Sequence, residues 1–132
     1  MIGLDTNVLV RYLAQDDSRQ AAAATRLLED ELSAEAPGYV CAVVLAEVAW
    51  VLSAAYAATR EEIADTIETL LSAPSLAFER KTEVWQALRA YRSTNADFSD
   101  CLIAQVGRSE GCTRIVTFDK AAAKLDGFTL LQ

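Results

Sequence analysis

Short strand-like runs alternate with longer helical ones along the whole chain, and this alternation limits the possible folds more than any other feature. Residues 2–4, 39–42, Leu76–Phe78, the RIVTFD run and the closing FTLLQ read as strands. Between them, DSRQAAAATRLLEDEL has strong helical propensity, a cap candidate in Ser18 and an apolar stripe of Leu27, Leu28 and Leu32. Residues 60–73 repeat apolar side chains at Ile63, Ile67, Leu70 and Leu71 ahead of Pro74. Residues 84–96 read as a further helix, another begins near Phe98 and ends at Gly111, and residues 120–125 make a short helical piece. The pattern predicts an α/β fold, a three-layer sandwich around a mostly parallel central sheet.

With 132 residues, 52% of them hydrophobic, the chain suffices for one ordinary core, and no linker, low-complexity tract or internal repeat divides it. A single domain over residues 1–132 is expected. The opening MIGLDTN has no basic leader and an acid already at position 5, which argues against a signal peptide. Residues 40–58 resemble a membrane span in hydrophobicity, but Glu47 and Ser53 interrupt them, so a buried core helix is expected and no membrane association.

Cys41, Cys101 and Cys112 match neither a disulfide framework nor a zinc site, and read as small core residues of a reduced, cytoplasmic protein. There is no histidine, which removes Ser/Cys-His nucleophile systems and nearly every zinc-enzyme pattern. If the chain is an enzyme, carboxylates carry most of its chemistry.

Ligand sites in open α/β sheets gather at the carboxyl ends of strands, so the acids there are the ones to weigh. Asp5 follows the first strand and Asp119 ends RIVTFD. Either is explained equally well as a helix cap. Asp97 and Asp100 are three apart, which on a helix puts them on one side, about 60° apart around the axis. Here too a cap and a first-turn acid suffice as an explanation.

Glu47 is different, because its helical neighbours Val43, Val44, Trp50 and Val51 are all apolar. Burial without a partner would cost several kcal/mol or more, so the side chain is expected to be protonated, paired with a base or metal-bound. Residues 39–59 contain no Lys or Arg, which leaves a distant arginine as the structural alternative. Several carboxylates brought together would require a cation, and hard oxygen donors select Mg²⁺ or Mn²⁺.

D-T-N after the first strand, a lone glutamate in V-L-A-E-V, D-F-S-D at a helix start and T-F-D after a late strand, in that order, resemble the PIN domain, and more narrowly the toxin ribonucleases of VapBC-type pairs. The resemblance implies a metal-dependent endoribonuclease using Mg²⁺ or Mn²⁺, with Asp5, Glu47, Asp100 and Asp119 as an acidic quartet. Asp97 would be a fifth acid at the rim or a water-mediated ligand, and Thr6, Asn7 and Thr117 would support the site by hydrogen bonding. It implies RNA as substrate, a small antitoxin protein as partner and a toxin homodimer, with Val10, Tyr12 and Leu13 as either contact surface or core.

A formal charge of −7 runs against RNA binding by a surface field, unless much of it lies in the site and bases such as Arg11, Arg80, Lys81, Arg89, Arg92 and Lys120 meet phosphate. Receiver domains want adjacent acids after the first strand, and haloacid dehalogenase phosphatases want a second acid two residues after the first. D-T-N supplies neither. The surviving alternative is a catalytically inactive PIN-like domain that binds RNA or protein.

Overall fold

Every strand is two or three residues long, so the helices rather than the sheets supply most of the apolar surface that closes the core. In the computed structural model, which describes residues 1–132, the chain forms two compact units, Met1–Glu79 and Arg80–Gln132.

The first unit runs β1 (Ile2–Gly3), α1 (Thr6–Ala14), α2 (Ser18–Thr25), β2 (Gly38–Val40), α3 (Ala42–Tyr56), α4 (Arg60–Leu71) and β3 (Leu76–Phe78). Its sheet has the order β1-β2-β3, all parallel, with Ile2 opposite Gly38 and Gly38 opposite Leu76. The cap of α2 is Asp17, one residue before the expected Ser18. Its carboxylate accepts from Gln20 N at 2.9 Å, and Ser18 is already the first residue of the helix. α2 continues into a π-helical turn, Arg26–Glu31, where Leu32 N donates to Leu27 O at 2.9 Å. The wider turn directs Leu28 and Leu32 inward and leaves Leu27 half-buried. α4 opens with a reciprocal capping box: Glu62 N donates to Thr59 Oγ1 at 3.1 Å and Thr59 N to Glu62 Oε1 at 2.8 Å.

α3 is apolar on nearly every side, and its buried stripe is Val44, Leu45, Val48, Ala49 and Leu52. With Leu9, Val40, Ile67 and Leu71 these residues form the unit's core. Val10 belongs to that core as well, at 3% exposure, which removes it from any contact surface, while Tyr12 and Leu13 are half-buried.

The second unit runs α5 (Lys81–Ser93), α6 (Phe98–Ser109), β4 (Ile115–Thr117), a single 3₁₀ turn (Ala122–Lys124) and β5 (Phe128–Leu130). β4 and β5 pair in parallel, with Ile115 opposite Phe128. α5 and α6 form an antiparallel-style hairpin closed by a short loop, and Tyr91 and Phe98 meet edge to face across it, with ring centroids 5.9 Å apart. α6 approaches β4 so closely at Gly107 that a Cβ there would lie 2.7 Å from Ile115 Cδ1. Gly111, at φ 94°, takes the left-handed turn that releases the chain from α6.

The parallel α/β character expected from the alternation is present, delivered as a three-stranded and a two-stranded ladder. Of the three cysteines only Cys101 is a core residue; Cys41 is half-exposed and Cys112 exposed, because each lies at the edge of an element rather than inside one. All three are free thiols. No helix is long and apolar enough to cross a membrane.

Candidate functional site

Strand ends place two of the sequence-predicted acids. Asp5 stands two residues beyond β1 as the cap of α1, and its Oδ1 accepts from Thr6 N at 2.8 Å. Asp119 stands two residues beyond β4, where its own N donates to Thr117 Oγ1 at 3.0 Å and its Oδ1 accepts from Ala121 N at 2.8 Å and Ala122 N at 3.3 Å. Capping thus occupies one carboxylate oxygen of each and leaves Oδ2 free of that duty.

Glu47 is exposed on the outer face of α3, which corrects the burial expected from its apolar neighbours. The reason is that two of those neighbours, Val43 and Trp50, are themselves 63% and 68% exposed, so the shared face is apolar yet turned to solvent. The expected penalty of a buried lone carboxylate therefore does not arise. Glu47 is held instead by Thr6, a buried residue whose Oγ1 donates to Glu47 Oε1 at 3.2 Å. Thr6 thereby joins two acids, its backbone to Asp5 and its hydroxyl to Glu47.

The second unit holds the other three. Asp97 occupies the cap position of α6 but its side chain accepts no hydrogen bond from the helix, so the plain capping role foreseen for it is not used. Asp100 lies in the first turn of the same helix, half-buried. Burial, then the charges of Asp97 and Asp119, push its carboxyl above the usual aspartate range. Asp100 therefore lies within the field of an acid at the start of α6 and of one just beyond β4. Thr117 takes part through Asp119, whereas Asn7 is exposed and lines a cavity of about 340 Å³ with Val8, Arg11 and Gln20.

No three acidic side chains are gathered into a ready cage for a cation. The donor chemistry still fits Mg²⁺ or Mn²⁺: the groups are hard carboxylate oxygens, and Mg²⁺ usually takes one or two carboxylates with waters and substrate phosphate.

Two of the bases foreseen as phosphate contacts are engaged within the protein. Arg11 Nε donates to Gln20 Oε1 at 2.7 Å and Nη1 to Tyr56 Oη at 3.2 Å, with Asp16 at 3.3 Å, which ties α1, α2 and the end of α3 together. Arg80 donates to Ser109 Oγ at 3.1 Å and to Glu110 Oε2 at 2.9 Å. Such networks depend on residues far apart in the chain, and sequence spacing carries no signal for them.

The sequence matches the PIN domain over residues 2–127, and the chain belongs to the PIN-domain family. It is also similar to a protein described as VapC ribonuclease from Aquifex aeolicus (strain VF5), at 27% identity over 123 residues, covering 92% of this chain and 90% of that protein.

Proposed function

We propose that the protein is a metal-dependent endoribonuclease that hydrolyses RNA phosphodiester bonds as the toxin of a toxin–antitoxin pair. The observation that carries the reading is the placement of Asp5 and Asp119 just beyond parallel strands and of Asp97 and Asp100 at the start of α6, where burial and then the charges of Asp97 and Asp119 raise the Asp100 carboxyl. Membership of the PIN family and the likeness to a VapC ribonuclease support the same reaction class.

In this reading Asp5, Glu47, Asp100 and Asp119 are the catalytic acids, with Asp97 as a fifth carboxylate toward the metal. Mg²⁺ or Mn²⁺, when bound, supplies Lewis acidity toward water and phosphate. The chain's own residues do the positioning. Thr6 fixes the Oε1 side of Glu47 and the backbone at Asp5, and Asp119 is set by Thr117 and the two amides it caps. Burial, and then the charges of Asp97 and Asp119, disfavour the bare anion of Asp100, a cost that a bound cation would offset. Asn7 would serve substrate rather than the acids, since its side chain faces solvent.

The reading includes a small antitoxin protein that covers the toxin and a homodimer of the toxin, both in the cytoplasm where RNA is available. The exposed apolar Val43 and Trp50 on either side of Glu47 support a covering protein, because burying them would exclude water from that carboxylate.

The test is cleavage of a structured RNA pool by purified protein in Mg²⁺ or Mn²⁺, beside EDTA and the variants Asp100→Asn and Glu47→Gln. Metal-dependent cuts abolished by EDTA and reduced at least a hundredfold in both folded variants are expected. Intact RNA with folded wild-type protein in either metal would replace this reading with the noncatalytic RNA- or protein-binding domain.

A further inference from the structure

The net charge of −7 is divided very unequally. Eight of the twelve Lys and Arg residues but only six of the nineteen acids lie in Arg80–Gln132, which gives that unit a formal charge of +2 against −9 for Met1–Glu79. A polyanion therefore meets less repulsion from the second unit than from the first.

Within the second unit, α5 and α6, together with Thr94, Leu125 and Asp126, line an open cavity of about 370 Å³. Three of the residues that line it, Ala90, Cys101 and Ala104, are small and leave the space unfilled. Gln86 and Arg89 come from one helix and Gln105 and Arg108 from the other, each pair one helical turn apart. Arg89 makes no ion pair. Arg108 has only Asp126 at 3.6 Å, with the arginine 58% and the aspartate 99% exposed, a loose pair that a better anion displaces. The Ser93 hydroxyl donates back to Arg89 O at 3.2 Å, so the end of α5 does not present a bare carbonyl at that point.

We infer that this cavity binds a backbone phosphate of an RNA strand, gripped by the guanidinium groups of Arg89 and Arg108 with the Gln86 and Gln105 amides as further donors. Two guanidinium forks lining one cavity suit a tetrahedral phosphate better than a single carboxylate. The space exceeds a phosphate alone, and admits the attached ribose. The inference rests on the RNA-cleaving reading and adds where the strand is held.

The test measures binding of a fluorescent single-stranded RNA by anisotropy over a salt series, with EDTA present so that the strand stays intact. Arg89→Ala and Arg108→Ala are compared with wild type and with Arg114→Ala, an exposed arginine of the same unit outside the cavity. Each cavity variant should bind about 5- to 10-fold more weakly near 0.1 M salt and lower the slope of log affinity against log salt by about 0.7, while Arg114→Ala stays within about twofold. Cavity variants that lose no more than Arg114→Ala overturn the inference. If wild type cuts RNA in Mg²⁺ while the cavity variants bind normally, the cavity fails alone; if wild type neither binds nor cuts, the nuclease reading fails with it.

Discussion

Thr6 is the residue on which two acids depend, through its amide to Asp5 and its hydroxyl to Glu47. Thr6→Val keeps the shape and removes only the hydroxyl. It should lower kcat about tenfold with KM little changed, and shift stability by no more than about 1 kcal/mol in urea denaturation. Equal loss in KM would mean that Thr6 serves RNA binding rather than the setting of Glu47. Asp100 gives a prediction in pH. Its folded carboxyl is raised, so the folded state holds a proton more tightly than the unfolded one, and stability is lower above the raised value than below the ordinary aspartate value. Asp100→Asn should therefore raise the melting temperature at pH 7, with the gain shrinking as pH falls toward 4. A gain that is the same at both pH values would remove the role of charge. Glu47 shows the limit of reading residues from spacing: apolar neighbours at three and four residues are visible in the sequence, but whether that face meets protein or water is not.

At the scale of elements, α1, α3 and α5 each have a non-glycine residue in the left-handed region at one end, Gln15 at φ 56°, Ala57 at φ 52° and Arg80 at φ 53°. Gln15 and Arg80 use their side chains, whereas Ala57 has none to use and is exposed. Ala57→Gly should stabilise the protein by about 0.5–1 kcal/mol, read from the midpoint of urea unfolding. Truncating a core residue should do the reverse: Ile67→Ala, at 0% exposure in α4, should cost about 2–5 kcal/mol. Helix α4 was legible because its apolar side chains, Ile63, Ile67, Leu70 and Leu71, recur at helical spacing ahead of Pro74. The end of α2 was not, since a π-helical turn changes which leucines face inward and nothing local to Leu27, Leu28 and Leu32 signals the change. Acids at strand ends were legible for a different reason, because chain direction alone puts them where a parallel strand stops.

Across the whole molecule, charge is distributed by unit, and a total of −7 hides that. RNA affinity should therefore fall with rising salt even though the protein is acidic, with a negative slope of log affinity against log salt. A flat dependence would show that phosphate contacts contribute nothing. The sheet pairings have a kinetic meaning as well. Ile2 meets Gly38 and Gly38 meets Leu76, while Ile115 meets Phe128 across about a third of that chain length. Closing the longer loops costs more entropy before any contact rewards it, and a parallel central strand such as β2 needs both its neighbours. In pulse-labelled hydrogen exchange the amides of β4 and β5 should gain protection ahead of those of β2. The unit made last would then be the one that orders first, and in the acidic N-terminal unit the middle strand would stay open at both edges until the two long loops beside it have closed.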